Sequence, residues 1–481
     1  MATTSALGSG SGLNLNDLLT QMISSEKDPQ VQLITQKTTK VSTTISALGA
    51  LKSAASSFQS ALSDLKSPNF FNSRTATASN TEMFSVTADG SADAGNYDIS
   101  VLNLASANKI ASGNFAGPDT KVGTGKLSIS VGESAFDIDI NSENNTVADI
   151  RDAINNAPNN TGVKASLLTV SDGAGGTATK LVLTAKDTGA NSQIAVSVAD
   201  DDGDNTDGSG LSQLYYSKSD TTNSRFTEVK AAQDATITVD GFTVTSATNV
   251  FDEAIPGVSI TALKPVTDAG NNPTSATLSV AVDTDSIKAA IQKFVTAYNS
   301  YAFTYSQLTS YTPATAGQTS GTAGPLLGNS SANLLNSRLH RDLSDRVDGA
   351  SANFNTLAAI GITTDADGSL KIDDAKLNKA INGNLSDVAK LFSGDSGVAG
   401  RLNSRLTDAL ASNGLFDNTQ KTLQSQLDDL GKQSEDLDKR MAALEATYRA
   451  QFTALDSLVA QLKQTGSFLT QQLSNTNSSS S

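Results

Sequence analysis

The sequence predicts an α+β multidomain protein: a terminal α-helical coiled-coil or bundle stalk with inserted, mainly antiparallel β domains. Three observations predict it. Toward the C-terminus, from Leu423 to Leu462, apolar residues recur at alternating steps of four and three, broken only by Ser434 and Gln451. That is the heptad period of helices packing along one another. Near the N-terminus a second stripe has the same spacing. Between the two, the apolar period falls to two, the period of half-buried strands.

In chain order, residues 1–12 form a low-complexity Ser/Gly/Thr segment, expected to be flexible. A helix follows with Leu15, Leu18, Leu19, Met22 and Ile23 on one face. It is expected to stop near Lys27-Asp28, because Pro29 disfavours helix at the residue before it. A second helix runs to about Lys66 with Val41, Ile45, Leu48, Leu51, Ala55, Phe58, Leu62 and Leu65 as its stripe, and Pro68 ends it.

From about Thr75 the alternations Tyr97/Ile99/Val101, Leu127/Ile129/Val131, Phe136/Ile138/Ile140, Ile194/Val196/Val198 and Leu278/Val280/Val282 mark strands. Asp240-Gly241 between two such runs is a strong hairpin signal. One helix interrupts the region, capped by Thr146, with Val147, Ile150 and Ile154 inward and Pro158 after it. The acidic, Gly-rich residues 200–210 are expected to be a loop.

From Asp283 the period returns to 3.6. Ile287, Ile291, Phe294, Val295, Tyr298, Ala302 and Tyr305 share one helical face. Residues 312–324 read as a flexible loop, and more helix follows around Leu334, Leu335, Leu339 and Leu343. A hairpin then joins Ile360-Gly361-Ile362 to Leu370-Lys371-Ile372 through Asp365-Ala366-Asp367-Gly368, and two short helices carry Leu377/Ile381 and Val388/Leu391/Phe392. The last helix, from 419 to about 473, would be about 80 Å long. Acid-first pairs four apart line its polar faces: Asp428/Lys432, Glu435/Lys439, Asp436/Arg440 and Glu445/Arg449. Gly431 and Gly466 are its weak points. One helix cannot bury its own seam, so the two ends of the chain are expected to lie side by side, with part of the seam internal and part between subunits. The candidate seam and oligomer contacts are Ile45, Leu48, Leu51, Phe58 and Leu62, and on the last helix Leu427, Leu430, Leu437, Met441, Leu444, Tyr448, Phe452, Leu455, Leu458 and Leu462.

Composition narrows the function. The 481 residues carry 49 Asp+Glu against 34 Lys+Arg, a net charge of −15. That argues against nucleic acid and anionic membranes, which need clustered cations. Cysteine is absent, so no disulfide, thiol nucleophile or thiolate metal site exists. No apolar run approaches the roughly 20 residues of a membrane span, and residues 1–12 lack the basic and apolar regions of a signal peptide.

No constellation of nucleophile, base and orienting group appears, and neither a catalytic residue, a cofactor nor a metal is expected. The lone His340 lies in the polar run 338–341 and reads as a surface residue. The acidic residues 200–207 lack the ligand order and distal Glu of a calcium loop. Asp365-Ala366-Asp367-Gly368 reads as turn chemistry. Gly125-Lys126 lacks the flanking residues of a phosphate loop, and Gly8-Ser9-Gly10-Ser11-Gly12 follows no strand. Asn144-Asn145-Thr146 and Asn159-Asn160-Thr161 match a glycosylation pattern, which as a bare three-residue string carries little weight.

Several strings, in this order, resemble the flagellar hook-associated protein 2 family of filament cap proteins. They include Lys52-Ser53 with Ser57-Phe58-Gln59, Gly95-Asn96-Tyr97-Asp98-Ile99-Ser100-Val101, and Val239-Asp240-Gly241 with Ile255-Pro256-Gly257-Val258. Phe294-Val295-Thr296-Ala297-Tyr298-Asn299 is the most specific; Asp367-Gly368-Ser369-Leu370 and Gln451-Phe452-Thr453-Ala454-Leu455 follow. The resemblance implies a secreted bacterial protein, exported through the flagellar type III apparatus without a cleaved signal. It would form a ring, a pentamer or hexamer, at the distal filament tip, holding in emerging flagellin and promoting its folding and polymerisation. The partners implied are other copies of itself, flagellin, hook-filament junction proteins and an export chaperone, with no nucleic acid and no membrane insertion. The expected division is 1–40 pairing with 445–481 as a leg, 41–78 with 284–444 as a helical base, 79–110 with 228–283 as a first β domain and 111–227 as a second. Two alternatives stay open: a flagellin-like or other rod-like filament component, and a tip adhesin binding host glycoconjugates.

Overall fold

In a computed structural model of the chain, which describes residues 8–9, 12, 14–160, 162–314 and 321–478, helices occupy both ends and antiparallel sheets the middle. Most of the low-complexity start, residues 315–320 of the expected loop, and Thr161 of the glycosylation pattern lie outside the described residues. Two units are distinguished, one built from residues up to Phe71 together with those from Thr284 onward, the other from Asn72–Asp283.

The helical unit begins with α1, Leu15–Ala61, whose first turn is capped by Asn14 Oδ1 accepting from Asp17 N. The expected stop at Lys27-Asp28 does not occur: α1 runs through Pro29. Proline removes one intrahelical bond and crowds the preceding turn, but anchors on either side bind α1 to the last helix. Lys27 Nζ lies 2.8 Å from Asp438, and Gln30 Oε1 accepts from Arg440 Nη2 at 2.8 Å. Tertiary contact outweighs the local preference. Past α1, Pro68–Asn72 forms a 3₁₀ turn.

Helix α2, Val147–Asn156, belongs to the inserted unit; the helical unit resumes with α3, Thr284–Thr309, and α4, Ser330–Ser344. Phe58 of α1 is fully buried, with its ring 5.9 Å from Phe294, 5.6 Å from Tyr298 and 6.2 Å from Tyr301. Burying such a ring is worth roughly 1.5–3 kcal/mol, and this cluster ties α1 to α3. Tyr301 was not on the expected face of α3, and it is buried where Ala302 and Tyr305 are only half-buried. His340 is not surface decoration. It is half-buried on α4, edge-on to Tyr298 at 6.1 Å, and Tyr298 Oη donates to Gly368 O at 3.1 Å.

The hairpin strands are Ile362–Thr364 and Leu370–Ile372; the second is as expected, and the first starts two residues later because Leu357–Ile360 is 3₁₀. Gly361 reverses the chain there at φ 92°, where a Cβ would lie 2.8 Å from that of Lys376. The two short helices expected next are present as the two segments of α5, Asp374–Phe392, separated at a non-helical Asn384. Helix α6, Val398–Leu410, was missed, although Val398, Leu402, Leu406 and Ala409 have helical spacing and are all buried. Arg401 of α6 donates to the carbonyls of Asp342, Asp345 and Arg346, closing the C-terminal end of α4. Arg405 pairs with the buried Asp342 at 3.1 Å. Helix α7, Leu415–Ser478, completes the unit.

The inserted unit holds two cores. Around the first, a five-stranded sheet runs Arg74–Ala78, Ala276–Val282, Gly95–Asn103, Ala235–Val239, Phe242–Ser246, and a three-stranded sheet runs Val250–Ile255, Val258–Ala262, Phe84–Ala88. The strand Arg74–Ala78, expected in the helical base with 41–78, is therefore an edge of a sheet. The Asp240-Gly241 turn has φ 49° and 85°, both left-handed, as a two-residue hairpin requires.

Around the second core lie a four-stranded sheet (Thr227–Lys230, Lys109–Ala111, Thr177–Ala185, Val163–Ser171), a three-stranded sheet (Ser134–Ile140, Gly125–Val131, Ile194–Asp200) and α2. Thr146 and Asp149 form a reciprocal capping box at the start of α2, and Val147, Ile150 and Ile154 are fully buried. Asn108, fully buried, joins this core's strands: it donates to Glu228 Oε1 and Lys230 O and accepts from Ile194 N.

Burial favours the neutral phenol of Tyr298, pushing it up to about 12; burial also pushes Tyr301 and Tyr216 up, with further help from neighbouring tyrosines and from Glu228 respectively. An unfolded tyrosine ionises near pH 10. These raised values therefore contribute stability that is complete below about pH 10 and is lost as pH rises through the folded values. The chain has eight tyrosines and no tryptophan, so tyrosinate absorbance reads them cleanly. An alkaline titration should leave Tyr216, Tyr298 and Tyr301 un-ionised until a cooperative unfolding step. A single smooth titration of all eight tyrosines near pH 10 would contradict this core.

Candidate functional site

The candidate site is the pair formed by α1 and α7. Helix α7 starts where Asn413, at φ 64°, and Gly414 turn the chain, and Asp417 in the first turn accepts from Asn413 N and Lys421 Nζ, both at 2.8 Å. The Lys421 and Asn413 bonds hold the Asp417 carboxyl below its ordinary range. This Asn-Gly-x-x-Asp signal was available in the sequence and puts the helix start at 415 rather than 419. At 64 residues α7 is roughly 96 Å long.

The two helices run antiparallel. Val41 lies across from Leu430, Gln30 meets Arg440, Lys27 meets Asp438, and a side chain at Gly12 would reach Lys463 Nζ at 3.6 Å. The hydrogen bond and charge of Asp438 raise the Lys27 ammonium above its ordinary value. Of the four acid-first pairs expected on α7, Glu445–Arg449 forms, at 3.1 Å. Lys432 and Lys439 instead bind Asp429 and Asp436 three residues back, and Arg440 turns to α1.

The candidate contacts divide into three groups. Leu48, Leu51, Phe58 and Leu62 are buried inside the helical unit, with Ile45 half-buried beside them. Leu430, Leu437 and Met441 are buried against α1, while Leu427, Leu444, Tyr448 and Phe452 are half-buried. Leu455, Leu458 and Leu462 are 44%, 54% and 63% exposed. The stripe thus passes from closed to open along α7.

Three further apolar residues, Phe468, Leu469 and Leu473, are exposed beyond it, and Leu18, Val31 and Leu33 of α1 are exposed too. Leu18 was on the expected first-helix face, but sequence reading passed over Phe468 and Leu469; the continued spacing Leu455, Leu462, Leu469 was the signal. Two surface grooves of about 380 and 330 Å³ run along the pair and share Lys37 and Gln433. The arrangement offers apolar contact surface with polar flanks and no reactive group. Among the described residues no group of three or more His, Asp or Glu is placed to hold a metal, and no helix is long and apolar enough to cross a membrane. The acidic 200–207 loop satisfies its own carboxylates: Asp207 accepts from Ser209 and Ser212, and Asp200 from Ser212 N.

Helix α7 passes through both of its glycines, and a Cβ at Gly431 or Gly466 would meet nothing within 4 Å. Gly431→Ala should therefore stabilise the chain by about 0.5–1 kcal/mol, read as a higher urea midpoint by circular dichroism. A lower midpoint would show that α7 is not continuous at 431.

Comparison with known proteins agrees with this arrangement. The family model "Flagellar hook-associated protein 2 N-terminus" matches residues 11–108, and "Flagellar hook-associated protein 2 C-terminus" matches residues 232–464. The chain is 36% identical to flagellar hook-associated protein 2 of Escherichia coli strain K12, covering all of both chains. It is 35% identical to the B-type flagellar hook-associated protein 2 of Pseudomonas aeruginosa, covering 97% of each. The crystal structure of the D1-D2-D3 domains of the flagellar cap protein FliD from Escherichia coli superposes with a TM-score of 0.65 at 33% identity, covering 79% of this chain and 99% of that one. Helical ends that pair with each other, sheets inserted between them, and matches of this extent place the chain in one family: it belongs to the flagellar hook-associated protein 2 family, the flagellar cap proteins.

Proposed function

We propose that this chain caps the distal end of a growing flagellar filament as a ring of five or six copies, retaining exported flagellin and promoting its folding and polymerisation. The observation that carries the reading is the open end of the α1/α7 pair. Leu455, Leu458, Leu462 and Leu469 keep the heptad spacing yet are exposed. A long amphipathic face without a partner is a contact surface. On this reading the pair is a leg resting on the filament, with 1–40 and 445–481 as the leg and the rest of the helical unit as its base. The two cores of the inserted unit then act as separate domains forming the plate. Ser434 and Gln451 interrupt the seam, which suits contacts that must release as the filament lengthens. Export through the flagellar type III apparatus without a cleaved signal, an export chaperone, and contact with hook-filament junction proteins belong to the same proposal.

The test is a deletion in the chain's own host, complemented with the wild type or with Leu458→Asp/Leu462→Asp. The deletion strain should lack filaments and shed monomeric flagellin into the medium. Wild type should restore filaments; the double variant, whose changes fall on exposed positions, should not. Normal filaments in the deletion strain would overturn the cap reading, and full rescue by the variant would remove the leg contact from it.

A further inference from the structure

The two cores of the inserted unit share no buried residue, and among the described residues no strand around one core pairs with a strand around the other. Two chain segments cross between them, residues 104–108 and 231–234. Their bonds run from one crossing to the other. Ser106 and Gln233 exchange backbone bonds at 2.9 and 3.1 Å, and Ser106 Oγ donates to Ala231 O at 2.7 Å. A two-stranded ribbon with no further strand beside it is a weak brace, and without a large apolar interface two domains move relative to each other by default.

A third connection is made by a strap, residues 186–193, between the strands Thr177–Ala185 and Ile194–Asp200 of the second core. Asn108 holds it at both ends: Ala185 N donates to the Asn108 carbonyl at 2.8 Å, and Gln193 Nε2 donates to Asn108 Oδ1 at 3.1 Å. The middle of the strap reaches the first core. Thr188 Oγ1 donates to Ala247 O at 2.7 Å, and Ala190 N donates at 2.6 Å to Oδ1 of Asp234, the residue before the strand Ala235–Val239. Gly189 N donates to Ser106 O at 3.3 Å, with the backbone at φ 105°. A Cβ on Gly189 would lie 2.8 Å from that of Ala247, so the strap seats this closely only with glycine there. The receiving loop is braced in turn, Asn249 Oδ1 accepting from Ala105 N at 2.7 Å. Asn155 and Asn160, whose amides bond the backbones of Ala165 and Val163, brace the second core internally and do not cross. The bonds that do cross from the strap are few, polar and at the surface. Hydrogen bonds of this kind contribute little net stability, so the strap can let go while both cores stay folded.

We propose that residues 186–192 are a releasable clasp that sets the angle between the two β domains of the inserted unit. Seated on Ala247 and Asp234, the strap makes the domains move as one body; released, it leaves them to swing about the crossings 104–108 and 231–234. In a cap plate this would let one domain yield to a passing chain without either core unfolding, but the joint stands on its own contacts whether or not the chain is a cap.

The chain has no cysteine, so two introduced cysteines carry spin labels at two places only. Ser166→Cys on the second core and Thr243→Cys on the first are at exposed positions. Pulsed dipolar spectroscopy on the full-length chain, diluted with unlabelled chain so that distances within one copy are read, measures the span between them. With the native strap the distance should be single and narrowly distributed. Thr188→Val/Asp234→Ala removes the two short bonds, and Gly189→Val wedges the strap off Ala247; each should replace the narrow distance by a broad distribution while circular dichroism shows the sheets intact. A folded variant that keeps the native distance and width overturns the clasp, as does a native strap that already gives the broad distribution. Should both variants lose their sheets, Thr188→Val alone, which keeps the shape of the side chain, decides by the same reading.

Discussion

The packing of α1 on α7 is the constraint on which the rest of the helical unit depends. It joins residues more than 400 positions apart in sequence, as the Gln30–Arg440 bond illustrates. Closing so long a loop costs entropy that grows slowly with its length, so the contact must be supported by burial rather than by its exposed ion pairs. That support is concentrated at one end. Phe58 with Phe294, Tyr298 and Tyr301 fixes the base of α1, and Leu430, Leu437 and Met441 extend the closed seam along α7. Beyond Met441 the stripe on α7 becomes progressively exposed, while Leu15 and Leu19 at the start of α1 stay buried.

This gradient gives physical meaning to the family assignment. On the proposed reading, a leg buried throughout within its own chain would offer nothing to a filament, and one open throughout would not hold the two chain ends together. The same sequence period serves both ends of the pair. What differs is the number of helices around it: α3, α4, α5 and α6 surround the base, while among the described residues only α1 accompanies α7 farther out. In the inserted unit, two separate cores with their own sheets explain how so polar a chain still folds: each alternating strand contributes one face to a small core, and Asn108 and the Asn155/Asn160 pairings use up backbone and amide groups that would otherwise be left unbonded.

Much of this was legible in the sequence wherever periodicity was long. The paired terminal helices, the antiparallel middle, the capped helix at Thr146 and the Asp240-Gly241 hairpin follow from local rules. The misses have physical causes. Pro29 reads as a stop, but Lys27–Asp438 and Gln30–Arg440 hold the helix through it. His340 looks polar in its local run, yet Tyr298, 42 residues away, supplies its ring contact. At the candidate site the heptad spacing identified the residues but not their fate. Phe58 and Leu462 have the same pattern; one is fully buried and the other 63% exposed, because burial depends on how many helices surround each.

The central claim is that the α1/α7 seam is closed at its base and open at its tip until another chain covers it. Hydrogen–deuterium exchange on the full-length chain, followed before and after self-assembly or filament engagement, tests this directly. The account requires slow exchange at residues 430–441 in the free chain, fast exchange at 455–473, and protection of 455–473 on engagement. Equal protection along the whole of α7 in the free chain, or no gain at 455–473 on engagement, would contradict it.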